Sequence, residues 1–127
     1  MNYLATSINE SPVIVDKAGA AIADVRGRAV KFDENGKIVL AAAGDTVLGV
    51  GIMTNDVDIK AEQDVHVQIK DIGLVYAGAE IKKGAELAAG ADGAMVPATE
   101  GAVCAIALDA AANAGLYIKA RLVTYTK

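Results

Sequence analysis

Residues 27–44 read GRAVKFDENGKIVLAAAG, and this stretch decides the predicted fold. Two short apolar runs flank the dipeptide Asn35-Gly36. Because both of these residues tolerate a positive φ, they favour the tight turn of a β-hairpin. A further turn at Gly44 leads into the bounded apolar run 46–53, which predicts a buried strand.

A similar pattern recurs further along the chain, where residues 84–101 read GAELAAGADGAMVPATEG. Six positions of the two stretches correspond at a constant offset, and an apolar strand follows each stretch, at 47–52 and at 103–108. We therefore expect two similar halves that close into one barrel or sandwich. The corresponding positions are Gly27, Val30, Gly36, Val39, Ala41 and Gly44 in the first half, and Gly84, Leu87, Gly93, Val96, Ala98 and Gly101 in the second.

Two other segments alternate between apolar and polar residues, as a half-buried strand does. The first is 64–70, where His66 falls on the polar face. The second is 117–123, the last predicted strand. Its outward residues are Tyr117, Lys119 and Arg121.

The segment 109–114 is rich in alanine and predicts a short helix. Asp109 can accept hydrogen bonds from the first free N–H groups, and Gly115 can end the helix in a left-handed conformation. The predicted fold class is therefore mainly β. It is a small single-domain β-barrel or β-sandwich built from two similar halves, with one short Ala-rich helix near 109–114.

The chain has 127 residues, a length that favours one domain. Residues 1–12 are polar and mixed and end at Pro12, which predicts an extended N-terminal arm. Residues 13–127 form the predicted β-rich domain. The N-terminus lacks the basic and apolar regions of a signal peptide, and no apolar run approaches the roughly 20 residues of a membrane-spanning helix.

The charge and the aromatic content argue against several classes of partner. The formal net charge is −4 and no block of basic residues is present, so neither nucleic acid nor an anionic membrane is an expected partner. The chain has no Trp, four Tyr and one Phe. This argues against an aromatic platform for sugars or bases.

Few residues could carry catalysis. His66 is the only histidine, and its place on a polar strand face predicts an ordinary surface side chain. Cys104 lies in the apolar run 102–108, where we expect a buried small hydrophobe. One His and one Cys on separate strands do not suit zinc. Seven carboxylates fall in predicted turns, where turn chemistry explains them: Asp33, Glu34, Asp45, Asp56, Asp58, Asp92 and Glu100.

Two motifs are decoys for cofactor binding. Gly49-Val50-Gly51 lies inside a predicted strand without a phosphate-loop pattern, so we interpret its glycines as packing residues. Asp16-Lys17-Ala18 matches the hairpin tip of lipoyl and biotinyl carriers, and residues 75–87 resemble a spacing of glycine and apolar residues found in those domains. In the carriers, however, this spacing precedes the modified lysine, whereas here it follows Lys17. We predict no enzyme and no catalytic, cofactor-binding or metal site.

A recurring order of glycines and alanines covers nearly all of the chain after the arm. It lies in residues 23–30 and 43–50 of the first half, and in 77–88, Asp92-Gly93, 97–101 and 105–111 of the second. In this order and spacing, which are more specific than any single motif, the chain resembles the capsid cement, or head decoration, proteins of tailed bacteriophages.

The resemblance implies a β-rich structural protein of the virion, made in the host cytoplasm and bound to the outside of the capsid. It implies contacts with the major capsid protein and with itself, as a homotrimer that stabilises contacts between capsid proteins. The family has no catalytic residues to transfer. Two alternatives stay open: a non-viral β-barrel adaptor, and, more distantly, a lipoyl-like or biotinyl-like carrier.

Overall fold

A computed structural model describes residues 11–127. Within this range the chain forms twelve β-strands and one three-residue 3-10 turn, Ala91–Gly93. The mainly β prediction is therefore confirmed. The strands are β1 (Val13–Lys17), β2 (Ile22–Asp24), β3 (Ala29–Phe32), β4 (Ile38–Leu40), β5 (Gly49–Gly51), β6 (Val57–Ile59), β7 (Asp64–Gln68), β8 (Ile72–Tyr76), β9 (Glu86–Ala89), β10 (Met95–Pro97), β11 (Ala102–Ala107) and β12 (Tyr117–Thr126).

The strands form two five-stranded antiparallel sheets with the same topology. The first has the order β1-β7-β5-β3-β4, and the second has the order β8-β12-β11-β9-β10. In each sheet, the strand that comes first in the chain lies at one edge, and the strand that comes last in the chain pairs with it. A hairpin of two consecutive strands forms the other edge. A separate two-stranded ribbon joins β2 to β6.

In each sheet, the residue after the first edge strand forms a single parallel bridge to the opposite edge strand, and no full strand pairing connects the two edges. Ala18, directly after β1, bridges Ile38 of β4, and Ala77, directly after β8, bridges Met95 of β10. The backbone N–H groups of Gly19 and Gly78 donate to these two partners at 2.8 and 2.7 Å. One bridge does not continue a ladder, so neither sheet is a closed barrel, and the barrel prediction is not confirmed.

Glycines hold equivalent turns in the two halves. The three glycine pairs of the sequence repeat all have positive φ: 70° and 89° at Gly27 and Gly84, 75° and 73° at Gly36 and Gly93, and 80° and 84° at Gly44 and Gly101. Side-chain-bearing residues rarely adopt this conformation. The repeated glycines therefore mark the same backbone conformation in both halves, which explains why the repeat consists mostly of small residues.

Two clusters of buried side chains lie between these elements. One consists only of first-half residues, among them Val30, Ile38 and Val67. The other is built mainly from the second half, but Ala29 and Val50 of the first half belong to it. Because side chains alternate along a strand, β3 contributes Ala29 to one cluster and the next residue, Val30, to the other.

The halves also meet through backbone contacts. Tyr76 N–H donates to the Gly27 carbonyl at 2.8 Å. A Cβ atom built on Gly27 would lie 3.0 Å from the Tyr117 ring, and one built on Gly93 would lie 2.4 Å from the Ala29 carbonyl oxygen. The Arg28 guanidinium lies 4.2 Å from the centre of the Tyr76 ring, a cation–π contact across the same junction.

The prediction of a helix near 109–114 is wrong. The segment consists of bends, a turn and one bridge, in which Ala111 and Ile81 exchange hydrogen bonds of 2.8 and 2.9 Å. Ala111 is also buried in the second cluster. Six residues are too few for a stable isolated helix, so the tertiary bridge outweighs the helical preference of alanine.

Strand lengths also differ from the sequence predictions. The apolar run 46–53 contributes only the three-residue β5 to a sheet. Neither β2 nor β6 is evident from the sequence, since each has three residues and their pairing is non-local. By contrast, the inward alternation of Val65 and Val67 and of Ile118 and Ala120 is confirmed by their burial.

The pair Gly36 and Gly93 separates backbone strain from steric contact. Gly36→Ala should cost about 1 kcal/mol, because a Cβ there meets nothing within 4 Å and only the positive φ is unfavourable. Gly93→Ala should cost roughly 1–3 kcal/mol more, because its Cβ overlaps the Ala29 carbonyl. Urea unfolding of both variants measures the difference. Equal losses of stability would contradict the close approach of the two halves.

Candidate interaction surface

His66 lies on the exposed face of β7, as its strand position predicts. Its backbone is held by Asn55: the His66 N–H donates to Asn55 Oδ1 at 2.9 Å, and Asn55 Nδ2 donates to the His66 carbonyl at 2.7 Å. Asn55 is thereby satisfied although it is buried. The arrangement uses the backbone of His66 to anchor the 52–55 turn.

Cys104 is buried in the second cluster, as expected for a small hydrophobe. Its Sγ donates to the Leu87 carbonyl at 3.5 Å and lies 3.3 Å from Met95 Sδ. Burial raises the pKa of the thiol to about 12. The thiolate is therefore scarce at neutral pH, which makes Cys104 a poor nucleophile.

Aspartate carboxylates stabilise several turns by accepting hydrogen bonds from backbone N–H groups. Asp33 Oδ1 accepts from the N–H groups of Asn35 and Lys37 at 2.8 and 3.0 Å, which closes the first hairpin. Asp45 Oδ2 accepts from the Ala42 N–H at 2.8 Å and pairs with Lys31 at 2.6 Å. These contacts are the local bonds typical of aspartate in turns. Asp58 departs from the prediction, because it lies within β6, with a φ of 58°.

The two cofactor decoys have structural roles. A Cβ on Gly49 would lie 2.2 Å from the Gln68 carbonyl oxygen, and one on Gly51 would lie 2.2 Å from that of Val25, so both glycines permit close backbone packing. Lys17 ends β1 opposite Asp64 of β7, and their side chains pair at 2.7 Å. The hydrogen bond from Lys17 lowers the pKa of Asp64. Lys17 is thus an element of a sheet and not the tip of a hairpin.

The exposed row of β12 is confirmed: Tyr117, Lys119 and Arg121 all face outward. Strand β8 lies beside it at the edge of the second sheet, and the register places Leu74 opposite Lys119 and Ile72 opposite Arg121. Ile72 is 59% exposed and Leu74 is 40% exposed. Cationic and aliphatic side chains therefore share one solvent-facing surface.

A groove runs along this edge, between the two halves. It encloses about 420 Å³ and is lined by 51–53 and Gln68 of the first half and by 72–74 and Lys119 of the second. Most of its lining is aliphatic or glycine, and Lys119 provides the charged side chain. We call these residues the β8 groove.

The sequence did not identify the β8 groove, although it identified the β12 row. Residues 72–76 read IGLVY, so apolar residues occur on both faces and no alternation marks the outward one. The pairing with β12 joins residues more than 40 positions apart. The exposure of Ile72 and Leu74 thus depends on topology, which periodicity does not show.

The described residues also limit other kinds of site. Residues 11–127 contain no group of three or more His, Cys, Asp or Glu side chains placed to hold a metal ion. Over the same range, no helix is long and apolar enough to cross a membrane.

The chain has the fold of a bacteriophage head protein. It is similar to the N base of head fiber gp8.5 of bacteriophage phi29, with a TM-score of 0.68 and 24% sequence identity. The similarity covers 87% of this chain and 92% of the other. No family model matches the sequence, and no curated protein matches it.

The burial of Cys104 gives a direct chemical test. A thiol reagent at pH 8 should modify the native protein on the order of a thousandfold more slowly than the protein unfolded in guanidinium, because native Cys104 is buried and its pKa is raised. The double variant Cys104→Ala with Val15→Cys is a matched control, since position 15 is 51% exposed and should react rapidly. Rapid modification of native wild-type protein would contradict the assigned burial.

Proposed function

We propose that this protein is a structural component of a phage virion that binds the outer surface of the capsid and stabilises contacts between major capsid proteins. The fold shared with the phi29 head fiber N base carries the proposal, because the likeness extends over nearly the whole of both chains. The likeness in glycine and alanine spacing to capsid cement proteins supports the same role independently of the fold comparison.

The architecture suits such a role. Two sheets of equal topology share buried side chains and close backbone contacts, which favours a rigid body. A structural protein needs large surfaces in fixed positions more than it needs a cleft with activated groups. The β12 row and the adjoining β8 edge offer such a surface.

The N-terminal segment is the proposed clamp. The prediction of an arm at 1–12 falls mostly outside the described residues, but Ser11 and Pro12 connect it to β1, an edge strand of the first sheet. The Pro12 carbonyl accepts from Ile69 N–H at 2.8 Å, which anchors the point of connection. A segment joined at a sheet edge is well placed for strand addition to a partner.

Deleting residues 1–11 tests the clamp. We expect the truncated protein to keep its cooperative unfolding transition and to lose sedimentation with undecorated capsids, because the fully buried apolar residues of the described range 11–127 all follow position 17. A full-length variant with the order of residues 1–10 scrambled controls for chain length and composition. Undiminished capsid binding by both variants would rule out the arm as the clamp, whereas failure of the wild type to bind would rule out the function.

We propose further that the protein is a homotrimer on the capsid, as its resemblance to capsid cement proteins implies. Electron cryomicroscopy of decorated capsids should then show its density in groups of three around symmetry or quasi-symmetry axes. Isolated single copies with no contact between them would contradict the trimer and leave capsid binding itself unaffected.

A further inference from the structure

We infer that the β8 groove is a docking site for an extended segment of a partner protein that presents both apolar and acidic side chains on one face. The inference rests on the proposed function for the identity of the partner, which would be a capsid protein. The chemistry of the segment follows from the groove itself: an open backbone edge, an apolar lining, and two cations that have no acidic partner among the described residues.

The backbone of β8 provides the open edge. Leu122 N–H donates to the Asp71 carbonyl and Ala77 N–H to the Leu116 carbonyl, both at 2.8 Å. Hydrogen-bonded pairs alternate with non-bonded pairs in an antiparallel ladder, so Leu74, opposite Lys119, belongs to a non-bonded pair. Its N–H and carbonyl therefore point away from β12, toward the edge.

The outward groups on either side of Leu74 are already bonded within the protein. Tyr76 N–H donates to the Gly27 carbonyl at 2.8 Å, and the Ile72 carbonyl accepts from Gln68 Nε2 at 2.8 Å. Within residues 11–127, no such bond is found for the N–H or the carbonyl of Leu74. The edge is therefore restricted to one residue, which can exchange a pair of hydrogen bonds with a single residue of an incoming strand.

The lining favours apolar side chains in the partner. Ile72 and Leu74 lie on one face of β8, and Ile52 and Met53 approach from the first half. Burying the exposed surface of Ile72 and Leu74 is favourable, since both are large aliphatic side chains in contact with water. Methionine adapts its shape to different partners, which suits a surface that receives another chain.

The charge of the surface selects acidic side chains. Lys119 faces Leu74, and Arg121 faces Ile72, so the two cations flank the aliphatic pair. Neither side chain forms an ion pair with a carboxylate in the part of the chain that the structure describes. By contrast, Lys17, Arg26, Lys31, Lys37 and Lys127 each pair with an acidic side chain. A carboxylate on the incoming segment would supply the missing partner.

A fluorescein-labelled eight-residue peptide with the order valine, valine, glutamate, glutamate given twice provides a direct probe, because each face of the extended peptide then carries both kinds of side chain. We expect the full-length protein to bind it, and Lys119→Glu combined with Arg121→Glu to weaken binding about tenfold or more, because two attractions become repulsions. The matched control is Lys82→Glu with Lys83→Glu, which makes the same change of charge on an exposed turn. Fluorescence anisotropy measures both affinities.

Amide exchange separates the groove from a general electrostatic effect. Binding in the groove should slow hydrogen exchange of the Leu74 N–H, because that group gains an acceptor. Equal affinities in the charge variant and its control, or unchanged exchange at Leu74 under saturating peptide, would overturn the inference. So would wild-type binding of a valine–lysine peptide with equal affinity. If residues 1–10 or a second copy of the protein already occupied the groove, the Leu74 N–H would be protected from exchange without added peptide. That result would also overturn the inference.

Capsid sedimentation in parallel distinguishes this inference from the proposed function. If wild-type protein binds capsids and Lys119→Glu with Arg121→Glu binds them equally well, the groove inference fails and the proposed function stands. If wild-type protein binds the peptide but no capsid, the proposed function fails, and the partner segment belongs to another protein.

Discussion

The fold depends on how closely the backbones of its two halves approach each other. At Gly93 the chain passes so near to the Ala29 carbonyl that a Cβ atom would lie 2.4 Å from the oxygen. At Gly27 the same crowding involves the Tyr117 ring, and the Gly27 carbonyl accepts from Tyr76 N–H. Both glycines also have a positive φ, so steric space and backbone conformation impose the same residue. Packing of the two sheets, and with it the placement of the β8 groove, follows from these contacts.

The sequence carried much of this information, because turns are local. Asn35-Gly36 and Asp92-Gly93 mark two hairpin tips without reference to the rest of the chain, and the equivalent glycines revealed two similar halves. Strand faces were predictable wherever one side is polar, as in β7 and β12. These features need only neighbouring residues and the two-residue period of a strand.

What the sequence could not supply is non-local. Ala111 lies in a run that favours helix, but its partner Ile81 is thirty residues away in the chain, and their bridge decides the conformation. Strands β2 and β6 exist only as a pair, and neither has an intrinsic signal. The candidate surface shows the same limit, because Lys119 was predicted to be exposed, whereas its aliphatic neighbours Ile72 and Leu74 were assigned only by the register of β8.

The duplicated topology places β1 and β8 in equivalent positions, yet the two edges differ in chemistry. In β1, Ser11 Oγ bonds both the N–H and the carbonyl of Val13, and the cross-strand pair of Lys17 and Asp64 neutralises the end of the strand. In β8, the bonds at the edge come from Gln68 and Gly27 of the other half, and the facing cations form no ion pair with any carboxylate of residues 11–127. One edge is thus stabilised locally and continues into the N-terminal segment, while the other forms one wall of a groove between the halves. Two halves with the same strand topology but different edges thus give one small domain two chemically distinct edges.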